Sequence, residues 1–144
     1  MEHVIAGYIR QVWEDRDWLY EGQHGFRLRY SCESQIITVC QDISDSLHEA
    51  TRLDAIIIDF SKACDLVPHD QLLKKIAASG VESRVVAWIR EFLIDRAERH
   101  YSEEVTVTSG VPQGSVLGPL LFLAYVSNIW RDIQSKIKFL QMIV

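Results

Sequence analysis

Ala55-Ile56-Ile57-Ile58-Asp59-Phe60 is the stretch on which the fold turns. It is a short apolar run rich in β-branched residues. Such a run suits a strand buried on both faces, which shows no alternation because both sides are covered. It ends at Asp59, a carboxylate that is costly to bury unless it is paired, hydrated or bound to a metal ion. A hard cation such as Mg²⁺ takes one or two carboxylates together with substrate phosphates. On the residues alone, an Asp capping the next turn accounts for the pattern equally well.

Outward from this run the chain reads mostly as helix. Upstream, Val4, Ile5, Tyr8, Ile9, Val12 and Trp13 follow helical spacing. Gly22 to Tyr30 is basic, contains glycine and reads as a loop. Ser31 is placed to cap a second helix with Glu33 in its first turn, and that helix carries Ile36, Cys40, Ile43 and Leu47 on one face. Downstream, Leu66-Val67-Pro68 is a turn, and Asp70 to Ser79 is a helix closed by Gly80. A further helix turns Val85, Ile89, Phe92 and Leu93 inward. Glu104 to Thr108 alternates and reads as a strand, Leu120 to Ile133 as an apolar helix, and Ile137 to Val144 as a last strand. Helices and strands mixed without regular alternation predict an α+β fold.

Composition narrows the function classes. The chain has 144 residues with 48% apolar and 24% charged, a globular mixture that excludes general disorder. A net charge of −5 gives no overall attraction to phosphate, so any nucleic-acid role must rest on local basic groups or metal ions. Cys32, Cys40 and Cys64 have no CxxC spacing and leave one unpaired; with no signal-peptide pattern, the expectation is a reducing intracellular compartment, cytoplasm or nucleus, and a chain that is not secreted. The longest apolar candidate, Val116 to Trp130, is interrupted by Gly118, Pro119, Ser127 and Asn128 and falls short of the roughly 18 residues a membrane span needs.

Ser109-Gly110-Val111-Pro112-Gln113-Gly114-Ser115 is the second informative segment. Its glycines allow close backbone approach, and Gln113 offers a donor and an acceptor to a base or sugar edge. A helix starting near Ser115 would turn free N–H groups toward an anion. A plain strand-to-helix turn explains the segment as well. His3, His24, His48, His69 and His100 have no ligand spacing. The four tryptophans sit on apolar faces and read as core. Lys74-Lys75 and Arg96 to Arg99 read as solvated helix faces.

Taken together, these segments resemble a known family. Ile58 to His69 resembles the first palm motif of non-LTR (LINE-type) retrotransposon reverse transcriptases. Ser109 to Phe122, SGVPQGSVLGPLLF, resembles their second palm motif almost letter for letter. Gln23-His24-Gly25-Phe26-Arg27 with Ser31-Cys32 resembles their fingers motif. The three stand in the family's order and cover essentially the whole chain. The resemblance implies a partial right-hand polymerase, with residues 1–52 on the fingers side and 53–144 as palm. It implies an incomplete palm sheet, no thumb, and RNA-templated DNA synthesis on a DNA primer by two Mg²⁺ ions. Asp59 would be the first metal-binding Asp, and the backbone at Phe60 would help to hold metal and triphosphate. Gln113 and Gly114 would line the nucleotide pocket. Cys64 would stand where the family has an aromatic residue that excludes ribonucleotides, and Arg27 would lie on the fingers side toward the nucleotide. On the residues alone, Arg27 and Arg29 read as phosphate contacts or equally as a solvated loop.

The chain departs from the family where the third palm motif, F-A-D-D, is due. There it reads Lys138-Phe139-Leu140-Gln141-Met142-Ile143-Val144, and no Asp follows Asp132. Without those carboxylates the expected polymerase is inactive, because losing one member of a catalytic unit commonly costs orders of magnitude in rate. Shifted by one base, codons for Leu140 to Val144 can read Ala-Asp-Asp-Cys, so a one-base deletion or a misplaced exon edge is the expected origin of this ending. Ala97 to Ser102 is also short for the family. An incomplete sheet would leave an edge open to self-association and a marginally stable protein. Two other classes remain on the residues alone. One is a polymerase-derived interaction module without catalysis. The other is a phosphatase-like hydrolase using Asp59, which would want an acid where Ser61 stands.

Overall fold

A computed structural model describes residues 1–54, 60, 62–98 and 108–129 of the chain. These residues form five helices: α1 (Glu2–Asp15), α2 (Cys32–His48), α3 (His69–Ala78), α4 (Ser83–Glu98) and α5 (Gly118–Val126). The sequence predicted each of them. α5 is shorter than the apolar pattern suggested, since turn geometry begins at Ser127.

The α+β expectation, a partial right-hand polymerase with an incomplete palm sheet, is corrected. Among the described residues there are helices and no strand, and the antiparallel bridge between Pro68 and Ser109 is an isolated one. Local chemistry keeps that bridge from growing into a ladder. Pro68 has no N–H to donate. His69 already begins α3, and Gly110 has φ +100, which is not extended backbone. Leu53, Asp54, Phe60 and Thr108, at the margins of two expected strands, are not in strands either. Ala55 to Asp59, Glu104 to Val107 and Ile137 to Val144, where the strands were expected, lie outside the described residues.

The core gathers on α5. Leu120, Leu121, Phe122, Leu123, Ala124 and Val126 are all buried, so this helix is apolar around its whole circumference and must lie inside the protein. α3 packs against both α4 and α5, bringing in Leu72, Leu73 and Ile76 from its own face and Ile89 and Leu93 from α4. α1 adds Ala6, Ile9 and Trp13. Trp13 is fully buried, and its indole Nε1–H donates to Ser79 Oγ at 2.8 Å. Ser79 in turn donates to the Ile76 carbonyl at 2.7 Å, so α1 is fastened to the last turn of α3.

α2 is built differently. Its start is the expected one: Ser31 Oγ accepts from the Ser34 amide at 3.2 Å, and Ser34 Oγ accepts from the Ser31 amide at 3.0 Å. Only Gln35 of this helix is buried. Thr38, Asp42 and Ser46, which share its side, are half-buried, whereas Ile36, Cys40, Ile43 and Leu47 face solvent. Among the described residues, no helix is long and apolar enough to cross a membrane.

Candidate functional site

The site grows from a turn and a loop that are more than forty residues apart in the sequence. Residues 62–66 form the turn, in which the amides of Asp65 and Leu66 both donate to the Lys62 carbonyl, at 3.1 and 3.2 Å. Val67 follows, fully buried, and then Pro68 and His69 lead into α3. The second segment, 108–117, lies against this one. The His69 amide donates to the Thr108 carbonyl at 3.0 Å, the Gly110 amide to Val67 at 2.8 Å, and the Val111 amide to Cys64 at 2.7 Å. The His69 ring adds a fourth link, its Nε2 lying 2.7 Å from the Gly110 carbonyl oxygen. A side chain at Gly110 would meet the Asp65 carbonyl at 3.4 Å with φ at +100, so this close approach depends on glycine.

Beyond Gly110 the loop folds onto the start of α5. Ser115 Oγ donates to the Pro112 carbonyl and accepts from the Gly118 amide, both at 2.8 Å. A Cβ on Gly118 would sit 2.5 Å from that same carbonyl, so the packing admits no side chain there. The anion site expected at this helix start is not formed as expected. The helix begins at Gly118, not Ser115. The Gly118 amide is taken by Ser115, and the Val116 amide donates to Glu2 Oε2 at 3.1 Å.

The residues expected to carry function divide into three groups. Cys64, Gln113 and Gly114 belong to the joined segments, and Phe60 is grouped with them for its contact with α5. Phe60 is partly exposed and meets Phe122 of α5 edge-on, with ring centroids 6.3 Å apart. Cys64 is half-buried against the core, and burial, aided by the Asp65 charge, pushes its thiol pKa up. Gln113 is exposed and donates from Nε2 to Asp65 Oδ1 at 3.3 Å. Gly114, at φ +75, has open space where a side chain would stand. Arg27 makes its contacts elsewhere. Its guanidinium donates to Glu14 at 3.0 and 3.2 Å and to the Tyr20 carbonyl at 3.3 Å, and lies 4.8 Å from the centre of the Tyr30 ring. It ties the 20–30 loop to α1. Asp59 lies outside the described residues, and among the described ones no three His, Cys, Asp or Glu side chains gather as a metal site.

Three residues in or near this arrangement have roles that the sequence did not show. His69 and Asp65 act within it, through partners more than forty residues away. Lys75, expected on a solvated face, instead donates to the Tyr125 carbonyl at the end of α5 and sits 4.9 Å from the centre of the Tyr125 ring. Burial pushes its pKa down.

The family model described as "Reverse transcriptase (RNA-dependent DNA polymerase)" matches residues 1–144. The chain belongs to the reverse transcriptase family. It is 30% identical over 133 residues to a Drosophila melanogaster protein named "Probable RNA-directed DNA polymerase from transposon BS". That match covers 89% of this chain and 15% of the relative. It is 32% identical over 129 residues to the X-element protein of the same organism, named "Probable RNA-directed DNA polymerase from transposon X-element", covering 86% and 14%. It is 30% identical over 134 residues to the RNA-directed DNA polymerase from mobile element jockey of Drosophila funebris, covering 90% and 14%. The chain thus spans about one-seventh of the length of these relatives. No solved structure matches it.

Proposed function

We propose that this chain is the part of a non-LTR retrotransposon RNA-directed DNA polymerase that holds the incoming nucleotide between the 59–69 and 108–114 segments. Residues 1–52 form its fingers side and 53–144 its catalytic side. Supporting this reading is the set of main-chain hydrogen bonds that lays the Gln113 loop on the turn following Asp59. Gly114 leaves room for a ligand to approach the backbone, and Gln113 stands exposed beside it. An RNA template and a DNA primer are the partners this activity requires.

A divalent metal supplies charge neutralisation in phosphoryl transfer of this class. Asp59 is the chain's candidate for holding it, together with the main chain at Phe60. The sequence has no acid after Asp132, where the family's third motif would supply further carboxylates for a two-ion site. We therefore assign binding and orientation to these residues and no catalytic step. The 144-residue polypeptide, taken alone, is a non-polymerising one. Primer extension on an RNA template with Mg²⁺ or Mn²⁺ tests this. No incorporation is expected, whereas template-dependent incorporation abolished by Asp59→Ala would overturn the inactivity.

A further inference from the structure

The turn at 62–69 does more than lie beside the Gln113 loop, because two of its side chains act on that loop separately. His69 is 8% exposed and works at the backbone. A carbonyl oxygen can only accept, so the 2.7 Å contact with Gly110 requires the proton on Nε2 of His69. Gly110 is then held at both ends of its residue, by its own N–H on Val67 and by its C=O under the imidazole. Asp65 works three residues further along, on the Gln113 carboxamide. An ionised carboxylate also only accepts, so it draws the NH₂ of Gln113 to itself at 3.3 Å. The amide's other atom, Oε1, is left to face away from Asp65.

We propose that His69 and Asp65 are positioning residues that set Gln113: His69 fixes the loop's backbone, and Asp65 holds the carboxamide through one N–H, so that Oε1 and the second N–H are turned to the ligand in a fixed order. This rests on the reading of Gln113 as a nucleotide contact and sharpens it. With one N–H held by Asp65, the amide keeps its Oε1 and its other N–H for a base or sugar edge, in an orientation that a flipped carboxamide would not give. Asp65→Asn removes that fixed orientation, since an asparagine can donate to Oε1 as readily as it accepts from Nε2.

The test uses the ¹⁵N-labelled 144-residue chain in solution, without nucleotide. In the unsubstituted chain the His69 ring nitrogens should report the Nε2–H form, and the opposite tautomer overturns the His69 assignment even if every variant fails to fold. His69→Ala should speed hydrogen exchange at the Gly110 and Val111 amides by about tenfold or more, the loss of one hydrogen bond's worth of local restraint. Amides in the middle of α3 and α5 should keep their protection. His69→Gln, which retains a donor at similar reach, should restore most of the protection. Equal acceleration throughout the core would mark His69 as a general stabiliser and overturn the proposal. Asp65→Ala should leave Gly110 and Val111 protected while the Gln113 side-chain NH₂ signals move to free-glutamine values. No movement there overturns the Asp65 half. Titration with a deoxynucleoside triphosphate separates the two readings. If Gln113 signals stay unmoved in an otherwise ordered loop, the nucleotide contact is wrong and the positioning stands.

Discussion

α2 and the α3–α5 unit use the same kind of sequence to opposite ends. Both have apolar residues at helical spacing, yet in α3, α4 and α5 those residues form the core, while in α2 the apolar stripe of Ile36, Cys40, Ile43 and Leu47 faces water. The inward side of α2 is instead Gln35, Thr38, Asp42 and Ser46. Periodicity reports which residues share a face of a helix, and nothing in it reports what covers that face. α5 avoids the ambiguity because it has no polar side to turn outward.

The sharpest break between the two regions is expected in truncations to alanine. Trp13→Ala or Leu121→Ala removes a fully buried side chain and should cost about 3–5 or about 2–5 kcal/mol, respectively. Ile36→Ala or Leu47→Ala in α2 should stay within about 0.5 kcal/mol, as at other exposed sites. Urea denaturation midpoints at constant slope measure all four. A large loss at Leu47 would mean that its face is covered in solution.

Next in size is Arg27→Met. Its side chain is 9% exposed and its ion pair with Glu14 includes two charge-assisted hydrogen bonds, so removal should cost about 1.5–3 kcal/mol. Lysine at this position should recover only part, having no fork to match the carboxylate. A neutral outcome would return Arg27 to the role of a free phosphate contact. Ser31→Ala, which removes the capping box of α2, should cost about 1 kcal/mol and act mainly on the helical signal of that segment.

The smallest expected effect is a pH dependence confined to the packed unit. Burial places the folded pKa of Lys75 below its unfolded value, against the Tyr125 carbonyl and ring, which favour the charged form. The unfolded chain therefore holds more proton between the depressed value and the ordinary lysine value of about 10.4, and stability should rise with pH through that window. Below the window the charging cost is fully present. Lys75→Met should remove the rise, which pH-dependent thermal unfolding would detect.

Much of the helical framework was legible in sequence because its signals are local. The Ser31 cap needs only Ser34, three residues on, and α3 ends at Ser79–Gly80 where glycine announced it. The α+β reading is corrected among the described residues, which hold helices and no strand. Where pairing begins among the described residues, Pro68, His69 and Gly110 stop it after one bridge. Site residues were legible where a motif carried them, as at Gln113. His69 passed as a scattered histidine because its acceptor lies 41 residues away, and Lys75 passed as solvated because Tyr125 lies 50 away. Arg27 stood out as a free basic group because nothing local pointed to Glu14, 13 residues upstream.

The central claim is that the segment after Asp59 and the Gln113 loop form one unit. Amide hydrogen exchange of the unsubstituted chain measures it directly. His69, Gly110 and Val111 should exchange at least about tenfold slower than free-chain rates, because each donates across the two segments. Exchange at free-chain rates in these three amides, with the middle of α3 and α5 still protected, would contradict the claim.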